Sequence, residues 1–469
     1  MRQSLAAFAA PDSASIPLHA IPSEGLDGWL DHQPQRVRTW LAAVGFKAAP
    51  GDTISVPDAA GGVSMAVFGL GDARARARNR MALGAARGKL PLGTYHLATG
   101  FSDEDLSEQL LGWLLAGYRF DRFRRGDGTE AGMAALKPPA GIDARRIEVL
   151  AAAEWLTRDL INTPASQMGP EELETTLLAL ADEFEAQVSV TYDDDLLHEN
   201  FPLIHAVGRA SDRIPRLLDL RWGSEGPRLT LVGKGVCFDT GGLDIKPASS
   251  MGLMKKDMGG AATVMGLAMM IMALGWPVRL RVLIPAVENA ISGSAIRPGD
   301  ILTARNGLTV EVNNTDAEGR LILADALALA DEESPDVLIC MATLTGAARV
   351  ALGPDLPPFY TDDDDFAAAL EDGALIEADP LWRMPFHEPY EALIEPGIAD
   401  LDNAPAGGMA GSITAALFLR RFVTQTPRFA HFDIYGWQQK DAPGRPKGGV
   451  GQGARAILWA LGEVLGIDA

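Results

Sequence analysis

The feature that most constrains the fold is the alternation of strand-length apolar runs with helix-length segments from residue 170 onward. Apolar runs typical of buried strands occur at residues 188–192, 217–222, 229–232, 278–285, 336–342 and 429–435. Segments with helical character lie between them or follow them, at residues 170–184, 261–274, 321–330, 412–422 and 454–465. Such alternation predicts an α/β/α domain with a mixed, largely parallel sheet.

Residues 1–140 predict a second and smaller α/β unit. Residues 63–70 are typical of a strand, and residues 73–87 and 103–118 are typical of helices. Pro138 and Pro139 mark a boundary, because consecutive prolines neither continue a helix nor supply the N–H groups of a sheet. Asp143 is placed to cap a helix that runs to about residue 161. We therefore predict domains at residues 1–140 and 141–469.

The charge balance excludes some partners. The 469 residues include 41 basic and 62 acidic side chains, giving a net charge of -21, a field that repels nucleic acid and anionic membranes unless basic residues cluster. No long basic cluster is present. Residues 258–278 carry no charge and are long enough to span a membrane, but they contain four glycines and a proline. We predict a buried helix followed by a turn there, and no membrane or nucleic-acid partner.

The two cysteines, Cys237 and Cys340, lie in apolar segments. In a long chain this pattern favours buried thiols over a disulfide and fits a reducing compartment. The apolar stretch at residues 5–10 is shorter than the core of a secretory signal. A cytoplasmic location is expected.

The first motif is VGKGVCFDTGGLDIKP at residues 232–247. It begins as a buried strand and ends in a glycine-rich loop, and ligands of α/β sheets bind at the carboxyl ends of strands. Gly233, Gly235, Gly241 and Gly242 would permit tight or left-handed backbone there. A phosphate-binding loop is a weak alternative, because the Walker spacing is absent.

Two further motifs carry charged residues. MKKDMGGAA at residues 254–262 places Asp257 at the entrance of an apolar helix, where the helix dipole favours a carboxylate. In NTDAEGRL at residues 314–321, Asp316, Glu318 and Arg320 alternate by two, so in an extended chain they would share one face. Alone, such a pattern is more often a surface ladder of ion pairs. Together the segments indicate a prepared site.

These three motifs, with Asn162-Thr-Pro and ATLTG at residues 342–346, resemble the leucyl aminopeptidase (cytosol aminopeptidase) family of two-metal peptidases. The resemblance covers residues 150–469, and the first domain matches in general character only, as a small α/β (macro-like) unit. It implies a metallo-aminopeptidase, a hydrolase that cleaves the N-terminal peptide bond with a two-metal-activated hydroxide. It also implies peptide substrates with a free N-terminus and assembly as a homohexamer.

The resemblance implies roles residue by residue. Two divalent ions, zinc or manganese or else magnesium or cobalt, would be held by Lys234, Asp239, Asp257, Asp316 and Glu318. Lys246 would stabilise the developing oxyanion, and Arg320 would hold a bicarbonate that acts as general base. Carboxylate oxygens suit hard divalent ions, whereas an amine ligand such as Lys234 needs a strongly lowered pKa. The seven histidines lie outside the motifs, so a histidine-based zinc site has no support.

The same resemblance implies residues that line the substrate: Met254, Asn314, Thr343, Leu344 and Gly346. Ordinary core packing is the alternative for Met254. Tyr435 occupies a position where many relatives have a small residue, which predicts a reduced preference for leucine in favour of small or polar side chains. The loop at residues 448–453 also departs from the family pattern and stays unassigned.

Three alternatives compete with this interpretation. A nucleic-acid-binding relative is disfavoured by the acidic charge. A non-catalytic relative is disfavoured because every metal and catalytic position holds the expected residue. A co-catalytic peptidase that acts on dipeptides or on cysteinyl-glycine stays open, since only substrate profiling separates it from a general aminopeptidase.

Overall fold

The computed structural model describes residues 6–125 and 132–467. The chain divides into a first unit, formed by residues up to Trp155 together with Lys440–Lys447, and a second unit, formed by Leu156–Gln439 and the residues from Gly448 onward. The domain boundary after residue 140 stays a prediction. Residue 5 of the short apolar stretch at residues 5–10 lies outside the described residues.

The first unit contains a five-stranded sheet. Its strands are β1 (Ile16–Pro22), β2 (Thr53–Pro57), β3 (Val63–Gly71), β4 (Thr94–Thr99) and β5 (Ala135–Leu136). Their order is β2-β3-β1-β4-β5, and only the β2–β3 pair is antiparallel. The helices are α1 (Leu26–Asp31), α2 (Gln35–Ala43), α3 (Ala73–Arg76), α4 (Gly84–Arg87), α5 (Asp103–Leu115) and α6 (Ala144–Asn162), with a 3-10 turn at Ser23–Gly25.

The prediction of one continuous helix over residues 73–87 is wrong, because the residues between α3 and α4 are not helical. Met81 has a φ of +55°, which no α-helix accommodates. The N–H groups of Met81 and Leu83 donate to the side chains of Glu108 and Gln109 in α5, at 2.8 and 3.0 Å. Tertiary hydrogen bonds therefore replace the helical ones that the sequence pattern predicted.

The predicted cap of α6 is confirmed. The Asp143 carboxylate accepts from the N–H of Arg146 at 3.0 Å, which satisfies one of the free donors of the first turn. The division between the two units falls within this helix, after Trp155.

The second unit contains a nine-stranded sheet. Its strands are β6 (Gln187–Tyr192), β7 (Arg216–Trp222), β8 (Arg228–Gly233), β9 (Gly235–Asp239), β10 (Arg279–Asn289), β13 (Val337–Ala342), β14 (Pro358–Tyr360), β15 (Trp382–Arg383) and β17 (Phe429–Asp433). The order is β15-β14-β17-β13-β8-β10-β7-β6, and β9 also pairs with β10. Five of the pairs are parallel and three are antiparallel. The prediction of a mixed, largely parallel sheet is confirmed.

Two small sheets complete the strands of this unit. They comprise β11 (Asp300–Thr303), β12 (Thr309–Val312) and β16 (Leu401–Asp402), and then β18 (Trp437–Gln438) with β19 (Gly448–Gly449). The remaining helices are α7 (Pro170–Phe184), α8 (Asp195–His198), α9 (Pro202–Gly208), α10 (Ala248–Met251), α11 (Gly259–Ala273), α12 (Glu318–Asp331), α13 (Gly346–Leu352), α14 (Asp364–Ile376), α15 (Gly411–Arg420) and α16 (Ala454–Leu465). The 3-10 turns are Ala165–Gln167, Met254–Met258 and Glu388–Ile394.

The core of the second unit lies around β8 and β13, which α11 and α12 both contact. All six residues of β13 are buried, as expected for a central strand of a largely parallel sheet. The uncharged segment 258–278 forms the buried helix α11 and a turn, as predicted. Across residues 6–125 and 132–467, no helix has both the length and the apolarity needed to cross a bilayer. Cys237 and Cys340 are free and buried.

Candidate active site

Lys234 lies at the carboxyl end of β8, where the chain leaves one strand before entering β9. Gly233 packs so tightly against α11 that a Cβ there would lie 2.8 Å from the Cα of Ala261. The N–H of Lys234 donates to the Met341 carbonyl at 3.0 Å, and its own carbonyl accepts from the N–H of Ala261 at 2.9 Å. Its side chain is only 3% exposed. The packing of β8, β13 and α11 thus fixes a buried amine at the ligand-binding edge of the sheet.

A glycine turn brings Lys246 back beside the end of β9. Gly241 and Gly242 have φ angles of +87° and +64°, in the region that favours glycine. The N–H of Lys246 closes this turn by donating to the Thr240 carbonyl at 2.9 Å. The Thr315 hydroxyl donates to the Gly241 carbonyl at 2.6 Å, which ties the turn to the segment of the third motif.

Asp257 lies in the 3-10 turn that runs directly into α11, so its predicted place at the helix entrance is confirmed. One carboxylate oxygen accepts from the Thr343 hydroxyl at 2.9 Å. The other accepts from Lys234 Nζ at 2.6 Å. Residues from three segments that are distant in sequence therefore meet at this carboxylate.

The segment that carries Asp316, Glu318 and Arg320 is not extended. Asp316 lies in a turn after β12, whereas Glu318 and Arg320 belong to the first turn of α12. The prediction that they alternate along an extended chain is wrong, because the Asn403 side chain bonds the backbone N–H and carbonyl of Asn314 at 3.2 and 2.8 Å and holds the segment folded. The three side chains still line one cavity.

The charged side chains at this site contact one another. We call them the carboxylate–lysine cluster, which consists of Lys234, Asp239, Lys246, Asp257, Asp316 and Glu318. Lys234 Nζ also lies 3.0 Å from Glu318 Oε1. Lys246 Nζ lies 2.8 Å from Asp239 Oδ2 and 2.5 Å from Asp316 Oδ1. Oxygen atoms of Asp239, Asp316 and Glu318 all lie within 4.8 Å of one another. Carboxylates this close repel each other unless cations lie among them.

This donor set fits divalent metal ions. Asp316 Oδ1 and Glu318 Oε1 are buried and contact a lysine nitrogen without hydrogen-bond geometry. Oxygen atoms of buried carboxylates that lack a donor are the ligands that hard divalent cations prefer. Asp193, Asp194 and His205 form another acidic group within the described residues, but the two aspartates are exposed and this group lies outside the predicted motifs.

The pKa values reflect this crowding. Burial, with repulsion from Asp239, raises the pKa of Glu318 to about 8 and that of Asp316 to about 6. Burial alone would lower the pKa of Lys234, but attraction to Asp257 and Glu318 raises it well above its ordinary value. This direction is the reverse of the lowered pKa that a neutral amine ligand needs. A metal ion among the same carboxylates would supply the opposing charge.

Arg320 presents an unpaired edge to the cavity. Its residue surface is 8% exposed, and its Nε and Nη1 atoms are buried without a hydrogen-bond partner in the described residues. Burial lowers the pKa of Arg320 to about 10, so it stays charged at neutral pH. A charged guanidinium with unpaired donors can bind an anion through charge-assisted hydrogen bonds.

One cavity of about 290 Å³ contains nearly all of the predicted site. The predicted residues that line it are Lys234, Asp239, Lys246, Met254, Asp257, Asn314, Asp316, Glu318, Arg320, Thr343, Leu344 and Gly346. Tyr435 is the one predicted residue that does not line it. The Tyr435 ring instead lies against Lys256 and Arg349, which do line the cavity.

Asp433 is a buried residue that the sequence analysis missed. Its Oδ1 accepts from the N–H groups of Leu344 and Thr345 at 3.0 Å, and its Oδ2 accepts from the hydroxyls of Thr345 and Ser412 at 2.5 and 3.1 Å. Burial raises the pKa of Asp433. The carboxylate fixes the backbone after β13 that lines the cavity. Its position at the end of an apolar strand was the available signal.

Lys256 and Arg349 were also missed. Lys256 directly precedes Asp257, and burial lowers its pKa to about 8. Arg349 follows Gly346 by three residues and therefore lies on the same side of α13. Lys256 lies within the second motif and Arg349 lies just after residues 342–346, but the sequence alone indicated a role for neither residue.

The fold and the carboxylate–lysine cluster define a metal-dependent α/β enzyme. The cytosol aminopeptidase family catalytic domain matches residues 155–458, and the M17 aminopeptidase N-terminal domain matches residues 16–136. The chain therefore belongs to the cytosol aminopeptidase family, a family of metal-dependent aminopeptidases. The resemblance inferred from the three motifs is confirmed.

Individual relatives agree with this assignment. A protein named probable cytosol aminopeptidase from a Synechococcus species is 42% identical over 70% of this chain and 66% of its own length. The chain spans just under two thirds of the length of the curated relatives it matches first. The crystal structure of cytosol aminopeptidase from Coxiella burnetii has a TM-score of 0.92 and 44% identity, over 98% of this chain and 99% of that one.

A second solved structure adds a metal. The bottromycin maturation enzyme BotP in complex with Mn has a TM-score of 0.84 and is 28% identical, over 96% of this chain and 100% of that chain. The predicted fold class is confirmed by these matches, and the prediction of a metallo-aminopeptidase is confirmed at the level of the family.

Proposed function

We propose that this chain removes single residues from the N-termini of peptides, with Lys234, Asp239, Asp257, Asp316 and Glu318 as ligands of two divalent ions. The observation that carries the proposal is the convergence of these five side chains, from three segments, on one buried cavity. Family membership supports the reaction class, and the carboxylate oxygens support the ligand set.

The five ligands would hold the two ions at this cavity, and the ions would supply Lewis-acid activation of water there when bound. Lys246 is placed to stabilise the negative charge that develops on the scissile carbonyl oxygen. Burial alone would lower its pKa, but pairing with Asp239 and Asp316 raises it above the ordinary value. Without bound ions, Lys246 is therefore an ammonium group, the form that this role requires.

Arg320 is assigned to a bicarbonate ion that serves as general base. Its Nε and Nη1 atoms are buried and lack protein partners in the described residues, and Arg320 lines the cavity. An anion there would receive charge-assisted hydrogen bonds from these free donors.

Substrate binding is assigned to the cavity wall formed by Met254, Asn314, Thr343, Leu344 and Gly346. Asp433 fixes the backbone of this wall at Leu344. Tyr435 contributes through the side chains it contacts rather than as a lining residue.

Several finer properties complete the proposal. Zinc or manganese is the preferred metal, with magnesium or cobalt as alternatives, and the manganese complex of BotP supports manganese. We also propose a homohexamer, a cytoplasmic location, and domains at residues 1–140 and 141–469.

The test combines activity with metal content. The purified chain should cleave aminoacyl amides in buffers titrated with each metal, and mass spectrometry should find two ions per chain. Asp257→Ala should lower both the ion content and the turnover while leaving the circular dichroism spectrum unchanged, because a lost ligand disrupts the ion geometry that activates water.

Asp194→Ala is the matched control, since it removes an exposed carboxylate from the other acidic group. It should leave ion content and turnover unaltered. Turnover by Asp257→Ala close to that of the unmodified chain, in metal-replete buffer, would refute the assignment.

A further inference from the structure

A second group of charges lies at the cavity wall, outside the carboxylate–lysine cluster. Lys256 Nζ lies 5.3 Å from the centre of the Tyr435 ring, and the Arg349 guanidinium carbon lies 4.7 Å from the same centre. Lys256 and Arg349 both line the cavity. We call these three residues the cationic wall. Two positive side chains therefore share one aromatic ring beside the substrate cavity.

The cations of this wall lack carboxylate partners of their own. The nearest to Lys256 is Asp257 Oδ1 at 3.9 Å, and Asp257 already pairs with Lys234 at 2.6 Å. Arg349 donates to the Thr345 carbonyl at 2.9 Å and has no carboxylate partner among residues 6–125 and 132–467. Lys256 is only 2% exposed. A buried ammonium without its own anion is costly, and a bound anion would offset that cost.

We propose that Lys256 and Arg349 bind a substrate carboxylate, so that the enzyme favours peptides whose N-terminal residue is aspartate or glutamate. The inference rests on the proposed aminopeptidase function and names the substrate class of that site. A carboxylate between two cations forms charge-assisted hydrogen bonds, which are stronger than those to a neutral amide.

A dipeptide supplies a second source of the same chemistry, its C-terminal carboxylate. The geometry points to the side chain instead. Lys256 Nζ lies 3.9 Å from an oxygen of Asp257, a proposed metal ligand, so the cationic wall begins beside the metal cluster. In the proposed function, the α-amine and the scissile carbonyl of the substrate, which flank the first Cα, would bind at that cluster. The first side chain is therefore the substrate group nearest to Lys256.

Tyr435 is a positioning residue in this scheme. Its ring contacts both cations, and its backbone N–H donates to the Gln452 side chain at 2.8 Å. This hydrogen bond fixes the backbone of Tyr435, while the face of its ring attracts the two positive charges. This arrangement keeps two like charges near one another, with only the long 3.9 Å pair to Asp257 beside Lys256.

The experiment measures kcat/KM on glutamyl, glutaminyl and leucyl amides in metal-replete buffer. Glutamate and glutamine have nearly the same shape, so their ratio isolates the charge. The unmodified enzyme should favour the glutamyl amide over the glutaminyl amide about tenfold or more. Lys256→Met and Arg349→Gln should each lower that ratio several-fold. Arg349 is half-buried, so its variant stays informative if Lys256→Met folds poorly.

Lys255→Met is the matched control. Lys255 is adjacent in sequence, but its ammonium donates to the Asn162 carbonyl at 2.6 Å and does not line the cavity. The glutamyl-to-glutaminyl ratio of this variant should equal that of the unmodified enzyme.

The outcomes separate this inference from the proposed function. Cleavage of leucyl amide with no preference for glutamyl over glutaminyl amide would overturn the inference and leave the function standing. Failure to cleave any amide at any metal concentration would overturn the function. A further arm compares Leu-Gly with Leu-Gly-amide. If the two variants change that ratio and not the glutamyl-to-glutaminyl ratio, the carboxylate is the C-terminal one and the side-chain assignment is wrong.

Discussion

The two ends of the cavity hold charge in opposite ways. At the metal-cluster end, the lysines Lys234 and Lys246 lie among four carboxylates at 2.5–3.0 Å. At the cationic wall, Lys256 and Arg349 lie near one aromatic ring, and in the described part of the chain the one carboxylate near them is Asp257, 3.9 Å from Lys256 and shared with Lys234. The first arrangement pairs each lysine with carboxylates and leaves an excess of negative charge, whereas the second leaves positive charge for a ligand.

This difference decides what each end binds. Four carboxylates with two ammonium groups carry an excess of negative charge, which the proposed divalent cations would relieve. The cationic wall carries an excess of positive charge in a partly desolvated place, where an anion is attracted more strongly than in water. Changes at the first end should therefore affect every substrate, and changes at the second should depend on the substrate side chain.

The largest effect is expected for Glu318→Gln. Glu318 is buried, lies 3.0 Å from Lys234, and belongs to the three-carboxylate group. An amide is a far weaker metal ligand, so kcat should fall roughly 10³-fold or more on all amides. The glutamyl-to-glutaminyl ratio of the residual activity should stay constant. Turnover numbers and bound metal per chain are the measurements.

Glu332→Gln provides the control for that prediction. Glu332 directly follows α12 and forms a surface pair with Arg305, which is worth at most about 1 kcal/mol. The Glu332→Gln enzyme should bind metal and turn over the amide substrates as the unmodified enzyme does. A Glu318→Gln enzyme that loses activity on the glutamyl amide alone would contradict the division of the cavity into two functional ends.

The contrast between the carboxylate–lysine cluster and the cationic wall also shows which parts of the site can be predicted from the sequence. The convergence of the carboxylate–lysine cluster was predictable because its members occur in three short motifs whose residue types match one chemistry. The central strands were predictable because continuous apolar runs such as β13 specify buried parallel strands. Lys256 was not, because nothing in its motif indicates that its side chain is buried beside Tyr435 and lines the cavity. Its role depends on a contact between segments far apart in sequence.

The local errors have the same origin. The helix over residues 73–87 is interrupted because Glu108 and Gln109 bond its N–H groups. The segment from Asp316 to Arg320 is folded because Asn403 bonds its backbone. In both regions a side chain from another element competes with the local backbone pattern, which no periodicity reports.

An intermediate effect is expected for Asp433→Asn, which tests the backbone between the two ends. The amide would lose an acceptor for the Leu344 and Thr345 N–H groups or for the two hydroxyls. A small shift of this wall should lower kcat/KM about 10- to 100-fold on every amide. Steady-state kinetics on the three amides would measure the loss and the constancy of their ratios.

Asp363→Asn is the matched control, since Asp363 also accepts a backbone N–H, at the start of α14. Asparagine caps a helix about as well as aspartate, so the variant should keep its fold and leave kcat/KM unaltered. If Asp433→Asn changes the glutamyl-to-glutaminyl ratio more than the overall rate, Asp433 would act together with the cationic wall. The division of the cavity into two functional ends would then be wrong.

The smallest effect is expected for Tyr435→Leu, with Tyr435→Phe as its matched control. The ring contacts both cations, and each such contact is worth about 0.5–1 kcal/mol. Tyr435→Leu should therefore raise KM for the glutamyl amide about two- to fivefold while kcat stays nearly constant, and Tyr435→Phe should behave as the unmodified enzyme does.

A Tyr435 ring that occupies part of the substrate pocket, as the sequence predicts, would give a different result. If the ring fills the space for the first side chain, Tyr435→Leu and Tyr435→Ala should both improve leucyl amide strongly, and glutamyl amide no more than leucyl. A leucyl gain without a change in the glutamyl-to-glutaminyl ratio would show that Tyr435 limits space rather than positioning Lys256 and Arg349.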